Sequence, residues 1–435
     1  MSKIKILKAV SSLWFGSLLS AVIAFALQVI IAREFSPSDY GLFSASVGVV
    51  NMLTPLAGFG IAALWLKIFG QEGWGGIRWV KPSLIFTFTS TFTVILILIF
   101  WAIYGPHDDK SKNLLIILSF NVLGVVAVEL LTAKLQLEEN YSGIVVWQIL
   151  PQIIKLIGVL GGIYLISYDI YSIAIWYAII SVTIFIISIF PLRNMTFGSV
   201  KLIGHGGRDC NEKYKGNFHA SVRNVIAQAW VFGFGGMFYI LWSQSYVVLI
   251  KYLMDDASAA IINISILIIN AICILPTVIY TKFMLPKIHR WAIKDTTRLK
   301  TVYFQGNKIM LSLGVVSVVA IWLFSEFFIS LLFSEQYSGA ADILKWISFI
   351  LPVRFIGHNI GAMLVARNYM KSKLKIMMIV AFINVSLNLF FIPIYGLYGA
   401  VITAIISELI LVSGYYYLVN KYYLSRGWRI EKDIL

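Results

Sequence analysis

The stretch AREFSPSDYGLFSASVGVV, Ala32 to Val50, gathers an Arg, a Glu, an Asp and a Pro between Arg33 and Tyr40, then turns apolar again at once. The apolar run Leu13 to Ile31 precedes it, and another apolar run follows it. About 20 apolar residues carry a helix across the roughly 30 Å hydrocarbon of a bilayer. A short polar corner between two such runs is how a chain reverses at a membrane face. Pro37 favours a turn, and Asp39 or Ser38 is the expected cap of the second helix.

The composition extends this reading to the whole chain. Of 435 residues, 59% are hydrophobic and only 13% are charged, whereas a soluble domain is about half apolar and about a quarter charged. Too few polar groups remain to cover a soluble core. The apolar runs are continuous, without the alternation of an outer-membrane barrel. The expected fold class is therefore an all-α integral membrane protein. Twelve spans are expected, at roughly 11–32, 41–66, 84–104, 114–133, 144–166, 170–190, 225–250, 259–281, 309–333, 343–366, 375–395 and 397–419. The first follows a lysine-rich start, as a signal peptide would, but lacks a small-residue cleavage site and feeds directly into the next span, so it is read as retained. Trp74, Trp79, Tyr104, Trp176 and Tyr415 to Tyr417 sit at span ends, where interfacial aromatics belong.

Charge sets the orientation. With the N-terminus inside, 28 of the 35 Lys and Arg fall on the cytoplasmic side, and only Arg33, Lys110, Lys112 and Lys251 fall outside. By the positive-inside rule both termini are cytoplasmic, in a bacterial cytoplasmic (inner) membrane. The net charge of +15 then reflects topology and the anionic lipids of the inner leaflet, so membrane lipids and not nucleic acid are the expected partners. The polar segment 191–224 separates two halves: a six-helix lobe 1–200, a cytoplasmic linker 201–224 and a second six-helix lobe 225–435. A second polar segment, 282–308, mixes basic and apolar residues in the manner of a helix lying on the inner surface. Cys210 and Cys273 suggest no disulfide, and neither Cys nor His shows metal-ligand spacing, so no metal site is expected. No G-x-x-x-x-G-K-[ST] occurs, which argues against ATP hydrolysis, and no cofactor is implied.

The halves repeat weakly. VIIAREFSPSDYGLFSASVGVVN (29–51) parallels VVLIKYLMDDASAAIINISILIIN (247–270), and LTAKLQLEENYSGIVVWQI (131–149) parallels LVARNYMKSKLKIMMIVAF (364–382). Units with an even number of spans keep one orientation, so this is a parallel repeat, with the expected site where the repeats meet.

Three corners carry a resemblance. AREFSPSDYGLF followed by VNMLTPLAGFGIAALWLK, then LLFSEQYSGAADILKWIS (331–348), then FINVSLNLFFIPIYGLYGAVITAIISELI (382–410) together resemble the Wzx-type polysaccharide flippases, the O-antigen and exopolysaccharide exporters of the MOP superfamily. That superfamily also holds MATE drug exporters and lipid II flippases. The resemblance implies about twelve helices in two six-helix, MATE-like lobes around a central cavity. It further implies a carrier, not an enzyme, that flips undecaprenyl-diphosphate-linked oligosaccharide repeat units by alternating access. The polymerase and chain-length regulator of the same pathway are the protein partners it suggests.

Ionisable groups inside spans mark a pathway or a pair by default. Here they are Glu129, Lys155, Glu326, Lys345, Arg354 and Glu408, together with His358. Glu326, Lys345 and Glu129 lie near span ends, within snorkelling distance of an interface. Lys155, Arg354 and Glu408 lie deeper and are the stronger candidates. Arg354 and His358 are spaced i, i+4, with Asn359 beside them, so they share one helix face. A diphosphate calls for cations, and the guanidinium of Arg354 and the ammonium of Lys155 both fit. The alternative is a structural ion pair with Glu129 or Glu408. Histidine is the side chain whose ordinary titration falls near neutrality, so His358 suits coupling to a proton gradient, with sodium as the other candidate. Gln28, Asn51, Gln228, Gln244, Asn263 and Asn270 offer amides to sugar hydroxyls, or else bind helix to helix. GFGGMF (233–238) allows close helix approach. Two other readings remain open: a MATE-type small-molecule antiporter, and a membrane glycosyltransferase or polymerase. The short outer loops and scattered acids argue against the enzymes.

Overall fold

The structure, a computed structural model, describes residues 3–163, 169–202, 220–284, 287–288, 291, 295–366 and 369–424. Cys210, most of the linker 201–224 and parts of the 282–308 segment lie outside the described residues. Among the described residues every regular element is helical.

Among the described residues ten helical stretches are long and apolar enough to cross a membrane, or eleven when the bent pair Gly339–Ile347 and Ile350–Val365 counts as one. One of them, Pro37–Tyr104, runs for 68 residues. At 1.5 Å per residue that is about 100 Å, some three times the hydrocarbon thickness, so it must double back. It does so at two breaks. Phe59 and Gly60 both take positive φ, 44° and 70°, and a single 3-10 turn occupies Gly73–Gly76. Two of the twelve expected spans, 41–66 and 84–104, fall inside this stretch because the connections between them are helical.

The chain divides into two compact units, with cuts inside helices: Met1–Ile31 with Ala45–Ile240, and Ala32–Ser44 with Leu241–Leu435. The first unit takes in α1 (Lys3–Glu34) up to Ile31, most of α2 (Pro37–Gly58), α3 (Ile61–Glu72), α4 (Ile77–Tyr104), α5 (Asp109–Ser119), α6 (Asn121–Leu137), α7 (Tyr141–Gly161), α8 (Ile170–Thr196) and the start of α9 (Val222–Leu253). In it α6 packs on α3, α7 and α8, and α4 packs on α5. Asp108, Asn140 and Asp169 each accept the N–H three residues on, satisfying donors that the first turn of a helix leaves open. On α4 the residues Phe88, Phe92, Leu96 and Phe100 are exposed while Ser83, Thr87 and Thr91 are buried. Apolar outside and hydroxyl inside is the arrangement that lipid solvates and water would not.

At the α2–α9 crossing of this unit, a Cβ added to Gly233 would lie 3.0 Å from Phe59, and one added to Gly236 would lie 3.3 Å from Pro55. The glycines of GFGGMF therefore serve close helix approach.

The second unit holds the rest of α9, α10 (Asp256–Val278), α11 (Thr296–Phe333), α12 (Gly339–Ile347), α13 (Ile350–Ala366), α14 (Met370–Tyr395) and α15 (Leu397–Val419). Its closest pairings are α14 with α15, α11 with α13, and α13 with α15. The corner 32–44 is built into it. Ser36 Oγ accepts from the Asp39 N–H at 3.1 Å and donates to Asp39 Oδ2 at 2.8 Å. Ser36 thus takes the capping role expected of Asp39 or Ser38. Pro37 occupies the first helical position, where its missing N–H costs nothing, and the cap falls one residue earlier. Tyr40 is fully buried, accepting from Asn263 Nδ2 at 3.0 Å and meeting Tyr337 edge to face. Arg33 donates to the Leu331 carbonyl and Gln336 to the carbonyls of Ala32 and Phe35.

Candidate functional site

In the first unit the helix α7 presents Lys155, half-buried, with its ammonium 4.3 Å from the centre of the Tyr177 ring of α8. The two helices are held at this level by Trp176 Nε1, which donates to the Ile154 carbonyl at 3.3 Å. A Cβ at Gly158 would strike Trp176. Among the described residues neither Lys155 nor Glu129 forms an ion pair. The aromatic face is a weak partner for a cation compared with a carboxylate, because a ring quadrupole falls off faster with distance than a charge. Gln28 and Asn51 are half-buried on α1 and α2. Gln148, not foreseen from the sequence, accepts from Ser17 Oγ at its side chain (3.0 Å) and from Ser20 Oγ at its carbonyl (2.9 Å).

In the second unit Arg354 of α13 and Glu408 of α15 meet. Arg354 Nε and Nη2 both donate to Glu408 Oε2, at 2.9 and 2.8 Å. Their side chains are 13% and 3% exposed. Of the two alternatives for Arg354, the ion pair is realised. The guanidinium also lies 5.3 Å from the Trp242 ring centre. One turn away, His358 Nε2 is 3.5 Å from Thr277 Oγ1. Asn359 points elsewhere: it is fully buried and donates to the Tyr303 carbonyl (3.0 Å) and Asn307 Oδ1 (2.7 Å) of α11. Gln244 is half-buried on α9. Lys345 pairs with Glu326 at 2.6 Å.

A buried polar network sits beside the ion pair. Ser245 Oγ donates to Asn384 Oδ1 (2.7 Å), Asn388 Nδ2 to the same oxygen (3.0 Å), and Asn384 Nδ2 to Ser407 Oγ (2.9 Å). It joins α9, α14 and α15 around the residue preceding Glu408. The i, i+4 spacing of Asn384 and Asn388 in the mostly apolar stretch 376–395 of α14 was the available signal. Lys373 of α14 also points inward, with its ammonium 5.4 Å from the Tyr415 ring centre. Nothing in the sequence separates it from its neighbours Lys371 and Lys375. Tyr177 likewise carries no local signal.

The family description "Polysaccharide biosynthesis protein" matches residues 6–291, and "MatE" matches residues 232–390. The capsular polysaccharide biosynthesis protein CapF of Staphylococcus aureus is 27% identical over 143 residues, which is 32% of this chain and 36% of that relative. That match therefore spans about a third of the relative's length. Among solved structures, an inward-facing multidrug resistance MATE family transporter of the MOP superfamily superposes with a TM-score of 0.68 at 14% identity, covering 92% of this chain and 93% of that one. The lipid II flippase MurJ, inward closed, superposes with a TM-score of 0.67 at 16% identity, covering 94% and 87%. The fold is thus that of MATE-like transporters, and with well over half of its length matched, the chain belongs to the polysaccharide biosynthesis protein family.

Proposed function

We propose that the chain is a flippase that moves undecaprenyl-diphosphate-linked oligosaccharide repeat units from the inner to the outer leaflet by alternating access, supplying O-antigen or another surface polysaccharide. The two moving halves are the six-helix lobes 1–200 and 225–435. The membrane is the bacterial cytoplasmic membrane, with both termini cytoplasmic. The family match supports the pathway, and the similarity to a capsular polysaccharide biosynthesis protein and to a lipid II flippase is compatible with such cargo.

The observation that carries the reading is Lys155. A cation inside a membrane span is costly unless something neutralises it, and among the described residues Lys155 meets the Tyr177 ring and no carboxylate. A lipid-linked diphosphate is an anion that would complete the site. Gln28, Asn51 and Gln244 offer amides for sugar hydroxyls. Arg354 with Glu408 and His358 form the corresponding polar stretch of the second unit, while Asn359 is turned to α11. In this reading Arg354 exchanges part of its bond to Glu408 for the diphosphate. Coupling to protons at His358, or to sodium, would supply direction. The polymerase and chain-length regulator of the pathway are the expected neighbours, and the chain itself catalyses no covalent step. The match of 232–390 to MatE favours, as a second reading, a small-molecule antiporter.

The test is complementation of a strain lacking the gene. The wild type should restore surface polysaccharide, and Lys155→Ala should restore little or none at equal protein level. Full restoration by K155A sinks the cationic-site reading. Restored drug resistance without restored polysaccharide selects the antiporter.

A further inference from the structure

We infer that Lys373, together with His358 and the gap left by Gly361, forms a subsite of the second unit for a phosphate oxyanion on a lipid headgroup. The inference rests on the flippase reading for its cargo and on the following geometry for its place. Positions 354, 358 and 361 of α13 follow i, i+4, i+7 and so form one stripe. The third position has no side chain. Lys373 fills it from the neighbouring helix α14: a Cβ at Gly361 would lie 3.4 Å from Lys373 Nζ, 3.9 Å from Lys373 Cε and 3.7 Å from Tyr415 Cε2. The stripe therefore reads Arg, His, Lys, and among the described residues Arg354 and Lys373 are the cations that act on His358.

The two ends of the stripe differ. Arg354 is neutralised by Glu408 at 2.8 Å. Elsewhere in the unit Lys251 lies 3.6 Å from Asp256 and Lys345 lies 2.6 Å from Glu326. Lys373 has, among the described residues, the Tyr415 ring and no carboxylate. A lysine that merely snorkelled would run towards the end of its helix pair. Lys373 instead aims at Gly361, five residues before the end of α13 at Ala366, about 7 Å along the axis. An ammonium so placed offers up to three donors to an oxyanion. The His358 imidazole lies one turn away along the same stripe.

The cargo's diphosphate and an ordinary anionic phospholipid share this chemistry, so the experiment separates them. The full-length protein is purified in non-ionic detergent and titrated with geranylgeranyl diphosphate, geranylgeraniol, phosphatidylglycerol and phosphatidylcholine. The loss of one charge-assisted contact in Lys373→Gln should weaken diphosphate binding about tenfold or more, while Lys373→Arg stays within about threefold of wild type. Geranylgeraniol should bind all variants alike. Gly361→Val, which keeps the charge but occupies its place, should reproduce the K373Q loss, guarding against a folding artefact. An equal K373Q loss for phosphatidylglycerol would identify bilayer lipid as the source of the phosphate. Diphosphate binding by K373Q within about twofold of wild type overturns the subsite. If that happens while the wild type still complements the deletion strain, the flippase reading stands. If the wild type complements nothing, the flippase reading fails, and the titrations decide the subsite regardless.

Discussion

Arg354 gives two donors to a single oxygen of Glu408, and both side chains are withdrawn from the surface. A buried pair of this kind adds little net stability, because desolvation offsets most of the Coulomb attraction, but stranding one partner is expensive. Arg354→Ala should therefore cost about 3–5 kcal/mol, read as a lowered unfolding temperature in detergent, whereas the double variant Arg354→Met with Glu408→Met should recover most of it. An R354A protein as stable as wild type would show that water or another cation already reaches Glu408. Lys155 carries no such debt, since no carboxylate is left behind, and K155A should unfold near the wild-type temperature. The contrast decides how loss of function is interpreted: for Lys155 it speaks about cargo, for Arg354 about folding as well. Depth within a span was legible for both cations. Which of them has a partner was not, because Glu408 lies on a different helix from Arg354.

At the scale of elements, helix contacts are set where side chains are absent. A Cβ at Gly41, in the first turns of α2, would sit 1.6 Å from the Asp256 carbonyl oxygen of α10. Only backbone displacement relieves that contact, so Gly41→Ala should destabilise by about 1–3 kcal/mol or more. Gly70 of α3 has nothing within 4 Å of its Cβ position, and Gly70→Ala should be neutral or stabilising by about 0.5–1 kcal/mol. Thermal unfolding of the two variants side by side checks the difference, and equal stabilities would contradict the α2–α10 contact. The corner had been legible as a turn between spans from its Pro, Asp and Ser. Its docking through Tyr40, Asn263 and Tyr337 was not legible, since those residues are far apart in the chain and each looks ordinary in its own segment.

For the whole molecule, the distribution of Lys and Arg predicts which loops face the cytoplasm. With Cys210 and Cys273 replaced, a cysteine at Lys110 should react with an impermeant maleimide in intact cells, and one at Lys371 only after permeabilisation. The reverse pattern would invert the chain and with it the proposed direction of transport. The span count shows how far local reading extends. Twelve apolar runs were visible, but Pro37–Tyr104 joins two of them through the 3-10 turn Gly73–Gly76, and the left-handed break at Phe59–Gly60 falls inside the expected span 41–66. Hydropathy reports where backbone is solvated by lipid, and a turn that stays helical leaves little mark on it.

The sequence by itself determined the all-helical membrane class, the approximate spans, the expected orientation and the resemblance that the family match then bore out. These follow from hydropathy, loop charge and short motifs, which act over a few neighbouring residues and add along the chain. Only the tertiary structure decided that Arg354 is neutralised, that Asn359 is committed to α11, that Lys155 and Lys373 face aromatic rings, and that Ala32–Ser44 packs with the C-terminal unit. Each of these depends on a partner brought in from another helix, and whether a buried charge meets a carboxylate, a ring or a glycine gap is fixed by helix packing.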